Sequence, residues 1–436
     1  SNGTYSVVSP VLISNLVVIG MGPESTILQG ASPSDRLVRL QHTNTVLTAV
    51  TIKGGNKGGV YVHAGVLSNC WVLSNTLNAY QNYGAGLHML TGLVVQCTIA
   101  GNVNSYGNMV GGGAYLTGGM ITHSTISSNS GAGAGAGVAL NGKSYLRNCL
   151  VSGNSVTEPS SGSGGAGYMN NANAVMESCT VAGNSCTAER SGGGLYKAAG
   201  VVTNSIISGN RRCTCIQDIA GTSSGTNGVV YSCAPELTAG IGNVAASPLF
   251  AGPDAANYRL GPGSPCIDTG TNLVWIDATV VDLDGQARKQ DGNDDAVERV
   301  DMGCYETAPV GSGALRCSFG ASPTVGYVSI QTIFTAYTDG TDPVATWYGW
   351  DFNNDGTNDL SGAGLGIVTN TASNGTFSVR LSVSNTTESA SYLVTNCVRA
   401  YPTTYYVATN GTHTAPYETW AKAATNLRAA VELAYA

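Results

Sequence analysis

Between Leu67 and Asn210 one short phrase recurs six times: an apolar residue, two spacers, Cys or Ser, one spacer, a β-branched residue, two spacers, Asn. The Cys/Ser position is held by Cys70, Cys97, Ser124, Cys149, Cys179 and Ser205. The β-branched position is Val72, Ile99, Ile126, Val151, Val181 and Ile207, and the Asn is Asn75, Asn102, Asn129, Asn154, Asn184 and Asn210. Successive copies lie 27, 27, 25, 30 and 26 residues apart, and a glycine keeps nearly the same step at Gly59, Gly86, Gly113, Gly137, Gly167 and Gly194. A unit of this length cannot bury its apolar side alone, so a period near 27 with Gly and Asn corners demands stacked coils, a solenoid, over residues 1–245. Cys97 and Ile99 are two apart and face one side of a strand, while Val94 belongs to the preceding strand across a bend. About nine or ten coils at roughly 4.8 Å each make a rod about 45 Å long.

The stacked positions have readable roles. A Cys that exchanges with Ser at an inward position is small filler; it has no His or acidic neighbours in step that would make it a metal ligand. The Asn residues fall at a corner, where Asn tolerates the left-handed conformation, and their stacked amides are expected to hydrogen-bond along the axis as an Asn ladder. Only 10% of the 436 residues are charged and the net charge is −7, so no basic stripe exists to neutralise a nucleic acid. No apolar run is long enough to span a membrane. The chain opens Ser1-Asn2-Gly3-Thr4 with no signal peptide, which reads as a removed leader or as a piece of something longer. Cys213, Cys215, Cys233, Cys266, Cys304, Cys317 and Cys397 lie outside the ladder and suggest an oxidising, extracellular compartment. Spacing alone leaves their pairing open.

The repeat resembles the right-handed parallel β-helix family of bacterial surface proteins, with a pectate-lyase-like solenoid. Residues 246–308 resemble the C-terminal closing segment of such proteins, through Ser247-Pro248-Leu249-Phe250, Asn257-Tyr258-Arg259-Leu260, Asp282-Leu283-Asp284-Gly285 and Asp301-Met302-Gly303-Cys304-Tyr305-Glu306. In residues 309–402, short alternating strands with frequent turns suggest a β-sandwich. Trp347-Tyr348-Gly349-Trp350-Asp351 and Gly375-Thr376-Phe377-Ser378-Val379 resemble a PKD domain, an immunoglobulin-like module of secreted proteins. Cys317 opens the first strand of that module and Cys397 closes the last, and a disulfide between them is the preferred pairing. In residues 403–436, Tyr405-Tyr406-Val407-Ala408 reads as a strand and Trp420–Ala436 as a helix with Ala421, Ala424, Leu427 and Val431 on one face. This resembles the N-terminal cap of a β-helix, and Asn2-Gly3-Thr4-Tyr5 resembles the turn that follows such a cap. The expected fold is therefore all-β, a parallel β-helix followed by an immunoglobulin-like sandwich and a short C-terminal strand plus α-helix.

Enzymatic readings find little support. Glycoside hydrolysis needs two carboxylates at a set separation, yet Glu24, Asp35, Glu158, Glu177 and Glu189 never recur at the coil period. His63, His88 and His123 fall at different repeat positions, and Arg147 with Glu177 reads as an ion pair on adjacent coils. No catalytic residue is assigned. Asp351, Asn353, Asp355, Thr357 and Asp359, with Gly356 at the sixth place, have the spacing of a calcium loop, but Gly362 stands where a bidentate Glu is needed. An Asn-Asp-Gly turn is the competing account. Asp282, Asp284, Asp291, Asp294, Asp295 and Asp301 form a second acidic group, read as a calcium site or a solvated loop. Sequons at Asn2, Asn374, Asn385 and Asn410 mark polar turns. The expected function is structural: a repeat unit of an extracellular bacterial fibre or giant surface protein, assembling head-to-tail with copies of itself through Tyr405, Tyr406, Val407, Trp420, Leu427 and Val431. The alternatives are a glycan-binding adhesin using Tyr80, Tyr83, Tyr106, Tyr115, Tyr168 and Tyr196, and a polysaccharide lyase.

Overall fold

The computed structural model describes residues 3–32, 34–77, 83–106, 110–157, 163–187, 192–213, 215–221, 226–253, 256–293, 295–309, 315–339, 345–402, 408, 412–414 and 421–425. The chain forms two compact units: Ser1–Pro248 with Pro265–Ala308, and Leu249–Ser264 with Pro309–Ala436. The short hairpin of Phe250–Gly252 and Asn257–Leu260 thus groups with the second unit.

The first unit is a parallel β-solenoid of about eight turns. One sheet of nine strands runs from Gly3–Val7 to Ile206–Ser208 and stacks the β-branched residues in register, Val72 on Ile99, Ile99 on Ile126, and so on to Ile207. A second sheet carries Leu67, Val94 and Ile121 one above another, as the bend between Val94 and Cys97 requires. The third sheet is built of two-residue strands such as Thr76–Leu77 and Val103–Asn104. Its last strand, Arg211–Arg212, pairs antiparallel with Cys215–Ile216. That reversal ends the third sheet, while the second runs on through Ile219–Ala220 and Val229–Val230, and the solenoid has about eight turns where nine or ten were expected.

The Cys/Ser column is a hydrogen-bond ladder as well as filler. Each Sγ or Oγ donates to the carbonyl two residues earlier, from Cys70 to Ser68 at 3.1 Å through Ser205 to Thr203 at 2.9 Å. Cys97 N–H donates to Ser124 Oγ at 3.0 Å, and Cys179 N–H to Ser205 Oγ at 3.2 Å. Cys and Ser interchange because each offers a donor and an acceptor on a short stem. The column continues to Ser232, whose Oγ accepts from Ser205 N–H.

The Asn column is buried and continuous. Asn75 Nδ2 donates to Asn102 Oδ1 at 3.0 Å, and the same bond runs from Asn102 to Asn129, Asn129 to Asn154, Asn154 to Asn184 and Asn184 to Asn210, at 2.8–2.9 Å. Each Nδ2 also donates to a carbonyl of the preceding coil, as Asn129 does to Ile99 O at 2.9 Å. The ladder residues themselves are not left-handed. The positive φ angles belong to the residue before each, such as Ser74 and Ser128, and to the residue before each Cys/Ser, including His123, Asn148 and Asn204. The two bends per coil are therefore made by neighbours, which frees the ladder side chains to point inward.

The glycine column packs on this ladder. A Cβ on Gly113 would lie 2.6 Å from Gly137 O and 2.7 Å from Asn129 Nδ2, and Gly59, Gly86, Gly137 and Gly194 meet Asn75, Asn102, Asn154 and Asn210 in the same way. One expected member is misplaced: Gly167 pairs with Val138, so the residue at the glycine position of that coil is Ala166. Gly113→Ala is expected to destabilise the solenoid by about 1–3 kcal/mol through overpacking. Ala166→Gly is expected to cost no more than about 1 kcal/mol. Urea unfolding followed by circular dichroism measures both.

Segment Pro265–Ala308 lies along the coils rather than across an end. His123 Nε2 and Asn148 Nδ2 both meet Val281 O, at 3.0 and 3.1 Å, and Asn204 Nδ2 donates to Thr271 O at 2.7 Å. Cys304 N–H donates to Thr180 Oγ1 at 3.1 Å. At its centre Arg288 is fully buried, 3.0 Å from Glu306 and donating to Gly303 O and Asp301 O.

The second unit contains a three-stranded sheet (Arg316–Ser322, Ile330–Asp339, Ile367–Ala372) and a five-stranded sheet (Val325–Tyr327, Ser389–Tyr401, Gly375–Ser384, Trp347–Asp351, Leu360–Gly362). They share one core of Phe319, Phe334, Trp350, Val379, Leu381 and Tyr392. The expected Cys317–Cys397 disulfide is not formed, and no two described cysteines stand at disulfide distance. Leu315 N–H donates to Glu388 Oε2, so Cys317 lies by the start of strand Ser389–Tyr401. Cys397 sits towards the other end of that strand, roughly 25 Å from its start at about 3.3 Å per residue. Burial pushes both thiols up to about 12.

No helix occurs among the described residues. Of the expected C-terminal helix, Ala421–Lys422 form a turn and Ala421 O accepts from Thr412 N–H, while Ala424 O accepts from Ala408 N–H. Carbonyls that bond back across a turn in this way are not available to a helix ladder. Tyr405, Tyr406, Val407, Trp420, Leu427 and Val431 lie outside the described residues, as do Tyr80, Glu158, Glu189 and Asp294.

Candidate functional site

The two ends of the solenoid differ. Towards Asn210 the Asn column is closed by Asp218, whose Oδ1 accepts from Asn210 N–H and Nδ2, each at 2.7 Å. At the other end the first coil is bare. Gly3–Val7 is the edge of the nine-stranded sheet, and Val11–Ile13 and Val17–Ile19 end the second sheet. Among the described residues nothing pairs with their outer edges. Tyr5, Val8, Leu12, Leu16, Val17, Ile19 and Met21 are all exposed, Ile19 to 68%; Leu12, Val17 and Ile19 hold outward positions that the next coil fills with Arg39, Val46 and Thr48, and Val18 is 37% exposed whereas its register partner Leu47 is fully buried. Edge strands are ordinarily guarded by charge, yet residues 1–23 contain no Lys, Arg, Asp or Glu. Backbone edges and apolar side chains on one unguarded surface can bind an added strand or coil through both hydrogen bonds and burial.

A second feature is a row of outward residues on the second sheet: Arg39, Tyr61, His88, Tyr115, Ala139, Tyr168 and Tyr196 occupy one register position in successive coils. Tyr83 reaches over from the preceding loop and stacks on Tyr115 at 4.5 Å, and Tyr168 stacks on Tyr196 at 5.7 Å. His88 lies edge-on to Tyr61 and Tyr115. Burial, with help from Arg36 and Arg39, lowers the His88 imidazole to about 4, so it is neutral at ordinary pH. Ring faces in this row are turned to each other, and Tyr115 is only 5% exposed. The tyrosines expected to meet glycans are thus largely engaged with neighbouring coils; Tyr106 is exposed in a separate loop.

The acidic groups divide. Asp282 and Asp301 are buried beside Arg288 and Glu306, where Asp282 accepts from Asp284, Gln286 and Glu306 N–H and Asp301 from Asp268 and Thr307 N–H. Burial pushes the Asp301 carboxyl up to about 7. Asp295 is paired to Arg299 instead. In the second unit Asp351 accepts from Asn353, Asp355 and Gly356 N–H, Asp355 from Thr357 N–H, and Asp359 from Phe352 N–H. These carboxylates hold the turn itself together. No group of three or more metal-ligating side chains converges among the described residues. Arg147 and Glu177 pair at 2.6 Å on adjacent coils, as their spacing implies. Asp218, Arg288, Glu306 and the buried Cys186 were not visible in the sequence as partners; the Asp-Gly-x-x-Arg phrase ending at Arg288 and the Asp-x-Gly-x-x-Glu phrase ending at Glu306 are the only signal they leave.

Comparison with protein-family models, with curated proteins and with solved structures finds no match to this chain.

Proposed function

We propose that this chain is a structural unit of an extracellular bacterial fibre or giant surface protein, joined head-to-tail, with the second unit an immunoglobulin-like module of the PKD kind. The observation that carries the reading is the first coil: among the described residues three strand edges there are unpaired, on an apolar stretch without charge, whereas at the other end of the solenoid the Asn column is closed by Asp218. Covering half a dozen such side chains is worth on the order of 10 kcal/mol before the costs of association. The C-terminal segment of a neighbouring copy is the occupant this proposal assigns, either within one long polypeptide or between chains. A contact between unlike surfaces that does not close on itself generates a filament.

The test is sedimentation of the 436-residue chain over a wide concentration range, beside Ile19→Lys. Concentration-dependent association that the lysine abolishes, with the circular dichroism unchanged, is the expected result. A native chain that stays monomeric throughout and fails to bind a peptide of residues 404–436 defeats the proposal.

A further inference from the structure

The second unit holds a cleft of about 350 Å³ between the edge strand Ile367–Ala372 of one sheet and the edge strand Leu360–Gly362 of the other. Its floor is aromatic: Phe334 and Phe352 pack at 5.2 Å, and the half-buried Phe377 lies beside them. Along Ile367–Ala372 the residues facing the core alternate, and Val368 and Ala372 are buried there. Asn370 falls between them and shares their face, so an amide is set into an otherwise apolar row. None of the described residues hydrogen-bonds its carboxamide. Across the cleft, Asp359 uses Oδ2 to accept from Phe352 N–H, and Asn353 stands next to it on the rim.

We infer that this cleft binds a neutral saccharide. A pyranose ring carries a C–H face that suits the phenyl floor and an edge of hydroxyls, each both donor and acceptor, that suits an amide facing a carboxylate. The volume lies in the range of small-ligand sites, and the lining has their usual make-up of aromatic surface with a few convergent polar groups. No Lys, Arg or His lines the cleft, so its one carboxylate repels uronates and phosphates. A purely apolar guest would leave the Asn370 carboxamide and the Oδ1 of Asp359 stripped of water without partners. The inference does not depend on head-to-tail assembly, and the two stand or fall separately.

The experiment titrates the full chain with neutral oligosaccharides (gluco-, manno- and galacto-series), with oligogalacturonate, and with a valine-rich hexapeptide as a candidate added strand, followed by amide chemical shifts. Binding of at least one neutral series, with shifts confined to the cleft and affinity lowered at least about tenfold by Asn370→Ala, is the expected result. Asn353→Ala, on the exposed rim, gives a second variant and is expected to weaken binding as well; because the Asn353 carboxamide also bonds Asp355 within its turn, circular dichroism and the amide shifts outside the turn check that the fold is kept. The inference is overturned if no neutral series binds, if only the uronate or the peptide does, or if both variants bind as the parent does.

Discussion

Replacing Asn129 with alanine is expected to lower the stability of the solenoid by about 5 kcal/mol, because several buried hydrogen bonds vanish at once and their partners stay buried. Asn129 Nδ2 donates to Ile99 O and Asn154 Oδ1, and its Oδ1 accepts from Asn102 N–H and Nδ2. Alanine supplies neither donor nor acceptor and leaves Asn102 N–H facing a void. Chemical denaturation of the variant measures the loss, and a change below about 1 kcal/mol, the size expected of a surface substitution, contradicts the ladder as a source of stability.

Asp218→Asn is expected to act in the opposite direction, and only at the upper end of the pH range. Asp218 is fully buried, its Oδ2 has no hydrogen-bond partner, and its N–H donates to Glu236 Oε1 at 2.8 Å, with Glu236 Oε2 likewise buried and unpartnered. Burial, with a smaller push from Glu236, raises the carboxyl from 3.8 to about 7 against the pull of the Asn210 bonds. An acid whose folded pKa is raised favours the fold when protonated, so its contribution is complete below about pH 4 and is lost as pH rises through about 7. Three pKa units correspond to about 4 kcal/mol. An amide keeps the acceptor for Asn210 and offers Glu236 a donor, so the variant should be the more stable protein at about pH 8 and lose that advantage at about pH 4. Asp301, also raised to about 7 by burial, leaves a residual slope of the same sign in both proteins. Urea midpoints at the two pH values decide the matter; a constant gap between the proteins contradicts the assignment.

The ladders were legible in the sequence because a coil position that must bond to its own copies above and below accepts few residue types. Cys70 to Ser205 and Asn75 to Asn210 obey that rule in every coil. Asp218 escaped notice because it follows Asn210 by eight residues instead of a full coil: the chain doubles back at Arg211–Ile216 and returns to the column early. The placement of Pro265–Ala308 was hidden for a related reason. Its partners His123, Asn148 and Asn204 hold the left-handed position before each Cys or Ser, which tolerates several residue types and so shows no repeat. The glycine column slipped by one at Gly167 because Ala166 is small enough to serve in that coil. The disulfide expectation failed because sequence order marks the first and last strands of a module but not which ends of them meet. The bare first coil left one direct trace, the run of uncharged residues before Glu24.

Within the Asn column every amide passes one hydrogen forward to the next amide, from lower residue number to higher, and so the row has the sense of an arrow. A final member that could also give would need something further along to receive. Asp218 takes both of Asn210's hydrogens on one oxygen and has no amide side chain to pass on, which makes it the full stop of the column: coils may be inserted ahead of it without changing the grammar, whereas a coil appended behind it would find no amide to meet. The length of the Asn column is thereby written in a single side chain.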